Sequence, residues 1–113
     1  MSRSRADASV FHAVSDPLRR VVLEVLRDGP ATVSELRERV AQWGLVTTQS
    51  AFSQHLAVLR RASLVVSEVD GRHRQYRLQP AQLLELVEWV AHFERFWEVR
   101  LDRLGETLER LRA

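Results

Sequence analysis

The hydrophobic positions of the chain change period twice, and each change marks a change of element. Leu18, Val21, Val22, Val25 and Leu26 recur at helical spacing. Asp16-Pro17 in front of them reads as an N-cap followed by proline at the first helical position, and Asp28-Gly29-Pro30 stops the run. Residues 8–14 form a shorter apolar segment, also predicted helical. Thr32-Val33-Ser34-Glu35 matches a capping box, in which the threonine hydroxyl and the glutamate carboxylate satisfy the orphan amides of a first turn. The helix it opens turns Leu36 and Val40 inward and is predicted to end near Trp43-Gly44. Thr47 or Thr48 then caps a helix carrying Ala51, Phe52, Leu56, Val58 and Leu59. Two capped helices joined by a short polar turn make a helix-turn-helix candidate.

After Ala62-Ser63 the period falls from about 3.6 to 2. Residues 64–69 and 75–78 are strand-like, and Asp70-Gly71 between them is a hairpin signal. The tip, Gly71-Arg72-His73-Arg74, is too basic for a core and reads as a solvent-facing wing. Pro80 begins a last helix predicted to run almost to Arg112, along which Leu83, Val87, Val90, Trp97, Leu101, Leu104, Leu108 and Leu111 form a stripe. A long terminal helix has too little of its own domain to cover such a stripe, so a second copy is expected to bury its end. The expectation is a single domain over 1–113: helix-turn-helix about 32–62, wing about 64–78, C-terminal dimerisation helix about 80–112.

Charge divides the chain. All seventeen basic residues are arginine, and the net charge is +2. Residues 48–78 carry Arg60, Arg61, Arg72, Arg74 and Arg77 against Glu68 and Asp70, whereas 79–113 carry five arginines against seven acids. A basic middle and a mildly acidic end suit a nucleic-acid face set apart from a protein-contact face. The chain has no cysteine, which excludes disulfides, thiolate catalysis and thiolate metal sites. No stretch reaches the roughly 18 apolar residues of a membrane span. The first seven residues lack a signal-like apolar core, so a cytoplasmic protein is expected.

With Phe52, Leu56 and Leu59 inward, Thr48, Gln49, Ser50, Ser53 and Gln54 lie toward the outer side of the second helix. Short hydroxyl and amide side chains there can donate to and accept from base edges and phosphates. The competing reading is an ordinary solvated face. Its neighbours, a helix before it and a basic hairpin after it, favour DNA. His55 can reach a phosphate or a base, or instead pack at the helix edge beside Leu56, and the DNA-facing reading is favoured. Arg60, Arg72, His73 and Arg74 are candidate phosphate contacts, against the alternative of a merely soluble turn.

These segments resemble the ArsR/SmtB family of winged helix-turn-helix repressors. The likeness rests on Asp16-Pro17-Leu18-Arg19-Arg20, on the run from Gln49 to Arg60 with its Ser-x-x-Ser-x-His-Leu-x-x-Leu core, and on Gly71-Arg72. It covers about residues 8–100. The fold it implies is α+β, mainly α with a small β-hairpin, with long N- and C-terminal dimerisation helices. The resemblance also implies a homodimer that binds a two-fold operator on double-stranded DNA, blocks transcription until a signal releases it, and reads DNA with Thr48, Gln49, Ser50, Ser53, Gln54 and His55. Val90, Trp97, Leu101, Leu104 and Leu108 are the expected dimer contacts. Residues 96–104 further resemble a branch of the family not defined by a metal site.

The chain departs from the family pattern in two places. The turn from Ala41 to Thr47 is a few residues longer than usual. Where thiolate sensors carry cysteines after Glu35-Leu36, this chain has Arg37 and Arg39, so arsenic-type sensing there is excluded. The family's other metal pattern, Asp-x-His followed by His-x-x-Glu on the terminal helix, fails: Val90 stands two before His92 and Arg103 eleven after it. Glu88 and His92, one turn apart, doubled by a two-fold axis and with His12 as a further candidate, form a weaker nitrogen-oxygen set suited to nickel, cobalt or zinc. The expectation is that no cofactor is required. An enzyme is excluded by the lack of a nucleophile–base pair, a phosphate loop or clustered carboxylates. An interaction module working with a separate co-regulator protein is the remaining alternative.

Overall fold

The computed structural model describes residues 9–112. α1 (Val10–Ala13) is a single turn capped by the Ser9 hydroxyl. α2 (Pro17–Leu26) starts where its signals predict. Asp16 Oδ1 accepts from the Leu18 and Arg19 amides at 2.8 and 3.2 Å, and Pro17 takes the first position, where a missing amide proton costs nothing. Seven of its ten residues are buried, which makes α2 the central helix.

α3 (Val33–Gln42) opens with the capping box: Glu35 N donates to Thr32 Oγ1 at 3.2 Å and Thr32 N to Glu35 Oε1 at 2.9 Å. α4 (Gln49–Arg61) is capped by Thr48, whose hydroxyl accepts from the Ala51 amide. It ends in a Schellman motif, with Leu64 N donating to Leu59 O and Ser63 N to Arg60 O, and Leu59 and Leu64 both fully buried. Ser63 adopts φ 60° to close it, a conformation that usually falls to glycine.

β2 (Val65–Asp70) and β3 (His73–Leu78) form the hairpin, in antiparallel register from Val65↔Leu78 to Asp70↔His73. A third strand was not expected. β1 (Ala31–Thr32) pairs with β3 through Ala31↔Tyr76 and Thr32↔Gln75, giving the sheet order β1-β3-β2. Thr32 therefore serves both as the end of a strand and as the cap of α3.

Val22, Leu36, Phe52, Leu59 and Leu64 meet in one fully buried core, joined by Tyr76 from the sheet. Each large apolar side chain so buried stabilises the fold by roughly 1.5–3 kcal/mol relative to an exposed one.

One expectation about the C-terminal end needs correction. The terminal helix is not continuous: a 3-10 turn (Pro80–Leu83) leads into α5 (Leu84–Ala91), and α6 (Glu94–Arg112) follows a break. At the break, His92 N and Phe93 N donate three residues back, to Trp89 O and Val90 O, tightening the turn to 3-10 form. Of the expected long N-terminal helix, the described residues show the single turn α1, and residues 1–8 lie outside them.

From Val87 to Arg112 every residue is exposed, so α6 projects from the body. The radius of gyration is 17.9 Å. A compact chain of this length would have about 13 Å.

Candidate nucleic-acid interface

α4 buries Phe52, Leu56 and Leu59 against the core, and that choice turns Gln49, Ser50, Ser53 and Gln54 to solvent. Thr48 is also exposed while its hydroxyl caps the helix. Arg60 and Arg61 are exposed in the last turn. These residues make one polar ridge along the helix. His55 differs: it is half-buried, and its Nδ1 lies 2.9 Å from Arg19 Nη1.

The linker between α3 and α4 spans residues 43–48 and turns at Gly44, φ +82°. Arg37 Nη2 donates to Thr47 O at 3.4 Å, leaning α3 against the start of α4. Trp43 and Val46 stand exposed there, Val46 almost completely.

The wing is narrower at its tip than the sequence suggests. Only Gly71 and Arg72 form the two-residue loop; His73 and Arg74 belong to β3. Gly71 takes φ +63°, as the first residue of such a loop requires. Arg72 is exposed and makes no hydrogen bond or ion pair among the described residues. Arg74 is exposed too, but its Nη1 donates to Ser67 Oγ at 2.7 Å, holding the guanidinium across the hairpin. Arg77 pairs with Glu68 at 2.6 Å. An open cleft of about 630 Å³ separates the wing, with Arg72, His73 and Arg74, from the start of α3. Glu35 lines it, and its carboxyl is held below the usual carboxylate range, first by the Thr32 amide, then by the Thr32 hydroxyl, with smaller help from Arg39 and His73.

The expected dimer residues Val90, Trp97, Leu101, Leu104 and Leu108 are brought onto one exposed surface, each 44–61% exposed. Aromatic rings join them at the break. Trp89 packs edge-on against Phe11 and Phe93 at 5.9 and 5.3 Å, Phe96 against Trp97 at 5.3 Å, and the Arg100 guanidinium lies 4.7 Å over Phe96. Trp89, Val90, Phe93, Phe96 and Trp97 line a wholly apolar cavity of about 180 Å³. Of the three metal candidates, Glu88 lies on α5, His92 at its C-cap and His12 on α1. Among the described residues of one chain, no three His, Asp or Glu side chains come together as a metal set.

Sequence reasoning missed Arg19. It is the buried charged residue of the described chain, and it joins α1, α2 and α4. The available signal was an arginine within the apolar face of α2, between Leu18 and Val22.

Comparison with known proteins agrees with this architecture. The helix-turn-helix domain family matches residues 14–68. The HTH-type transcriptional regulator Rv2034 of Mycobacterium tuberculosis is 36% identical over 109 residues, 96% of this chain and 94% of that protein. The transcriptional repressor SdpR of Bacillus subtilis is 28% identical over 85 residues, 75% of this chain and 89% of its own. Among solved structures, an ArsR-like transcriptional regulator from Rhodococcus sp. RHA1 superposes with a TM-score of 0.63 at 28% identity, over 94% of this chain and 95% of that one. A winged helix-turn-helix with a polar ridge, a basic wing and relatives of this kind is not an enzyme: the chain belongs to the ArsR/SmtB family of helix-turn-helix transcriptional regulators.

Proposed function

We propose that the chain is a homodimeric repressor that binds a two-fold operator, with α4 of each copy in a major groove and each wing on the flanking backbone. The observation that carries this reading is the polar ridge of Gln49, Ser50, Ser53 and Gln54, free of charge and fully presented, on a helix whose other side is locked into the core. Amide and hydroxyl groups of this kind read base edges. Thr48 at the helix start and Arg60 near its end lie where phosphates flank a groove-bound helix, and Arg72, His73 and Arg74 supply the wing's contacts.

Dimerisation through Val90, Trp97, Leu101, Leu104 and Leu108 would set two α4 helices one DNA turn apart, about 34 Å. An apolar face of this extent supports a partner surface. Repression is favoured because the Bacillus subtilis relative is named a repressor. Such a protein works in the cytoplasm, beside the DNA. The reading takes no resident metal, and its alternative is a nickel-, cobalt- or zinc-responsive regulator in which Glu88 and His92, doubled across the dimer axis, supply nitrogen and oxygen ligands.

The test is selection of duplexes by the protein from a random-sequence pool, then anisotropy titration of a selected duplex beside its scrambled counterpart. Gln54→Ala is expected to weaken the selected duplex about tenfold and the scrambled one little. Arg72→Ala should weaken both about equally and flatten the salt dependence by roughly one phosphate. Nickel, cobalt and zinc are expected to leave both affinities unchanged. Failure to enrich any sequence would overturn the proposal, and a metal-dependent affinity would overturn its metal-free form.

A further inference from the structure

Arg19 is 7% exposed and has no carboxylate partner among the described residues. Its charge is satisfied by other acceptors. Nε donates to Ala13 O at 2.7 Å, Nη2 to His12 O at 3.0 Å and Ser15 Oγ at 3.4 Å, and Nη1 reaches His55 Nδ1 at 2.9 Å. Guanidinium can only donate, so Nδ1 accepts and a neutral His55 carries its proton on Nε2. Arg19 thus gathers the end of α1, the start of α2 and the middle of α4 onto one planar group. Among the described residues, this is the only side-chain hydrogen bond that reaches α4 from another helix. Phe52, Leu56 and Leu59 decide which side of α4 faces the core, but apolar contacts are non-directional and leave the fine rotation of the helix to a hydrogen bond.

We infer that Arg19 and His55 are positioning residues for DNA readout: their hydrogen bond fixes the rotation of α4 about its axis, so that Gln49, Ser50, Ser53 and Gln54 meet base edges in register. On this view His55 works from behind the reading ridge. The inference rests on the reading of α4 as the DNA-binding helix. A helix rotated by a fraction of a turn would still carry its phosphate-binding arginines into the backbone field, so nonspecific affinity survives while sequence discrimination is lost.

The experiment compares His55→Leu, His55→Asn and Arg19→Lys with the unaltered chain on a duplex enriched from the random pool and on its scrambled form, with circular dichroism and thermal unfolding on each variant. Asparagine places a carbonyl oxygen where Nδ1 stood; leucine offers no acceptor. His55→Leu is expected to lower the ratio of selected to scrambled affinity about tenfold, with scrambled affinity nearly unchanged, and His55→Asn to restore most of it. Arg19→Lys should lower the ratio likewise, because one ammonium cannot span all these acceptors. Added to His55→Leu, it should cost no further discrimination. An unchanged ratio in His55→Leu would overturn the inference. So would equal losses in His55→Leu and His55→Asn, which would mark the imidazole itself as the base contact. If the unaltered chain enriches no sequence, the DNA-binding reading has failed and the inference falls with it. If it enriches one and the variants discriminate as well as it does, only the inference fails.

Discussion

Single residues do two jobs at several joints of this fold. Thr32 ends a strand and caps a helix, and its amide holds the Glu35 carboxylate in its charged form. Because Glu35 titrates lower in the folded chain than in the unfolded one, its contribution is complete at neutral pH. It fades as pH falls through the ordinary carboxylate range and is gone below Glu35's own lowered value. Thermal unfolding of the unaltered chain and of Glu35→Gln should therefore differ near pH 7 and converge in acid. A difference constant across that range would show that the box contributes nothing through charge. Most of this was legible from sequence, since Thr32-x-x-Glu35 and Asp16-Pro17 are local signals whose chemistry lies within four residues. Arg19 was not, because its partners come from three elements and only the packed fold brings His12, Ala13 and His55 around it.

At the scale of elements, the helices and the hairpin follow from periodicity and caps, and the failures have specific causes. β1 is two residues long, too short to show a period of two, and it exists only because β3 offers an edge beside α3. The break between α5 and α6 carries neither proline nor glycine, and the apolar stripe runs through it, so no sequence signal interrupts the pattern. Ser63 marks a place where the chain departs from the best local choice. Closing a Schellman motif with an L-residue in the left-handed region is strained, and glycine relieves that strain at some loss of unfolded-state advantage. Ser63→Gly should stabilise the fold by about 1 kcal/mol, seen as a rise in melting temperature of roughly 4 °C. A fall would mean that the serine holds the turn by some other contact.

For the molecule as a whole, the dominant fact is the division between a packed body and a projecting amphipathic helix with an uncovered apolar stripe. Leu104 is exposed and takes no part in the core, so Leu104→Glu should leave the melting of the winged domain almost unchanged. In sedimentation velocity, the unaltered chain is expected to run as a dimer. Leu104→Glu should weaken that dimer more than tenfold, as expected for a charge forced into an apolar seam. If the unaltered chain sediments as a monomer, the apolar surface belongs to a different protein, and the homodimer is wrong. The sequence made this surface readable as a stripe. The aromatic cluster at its centre came into view only with the turn that gathers Trp89, Phe93, Phe96 and Trp97.

That turn also makes the chain its own reporter. Two of its three tryptophans, Trp89 and Trp97, border the apolar cavity, while the third, Trp43, stands exposed at the end of α3. Indole emission shifts to the blue as water leaves the ring, so covering this surface changes the colour of the protein's intrinsic fluorescence without any added label. With Trp43→Phe, the remaining indole light comes only from the two tryptophans beside that cavity. A single cuvette can then follow assembly at the far end of the molecule while α4 is occupied by DNA.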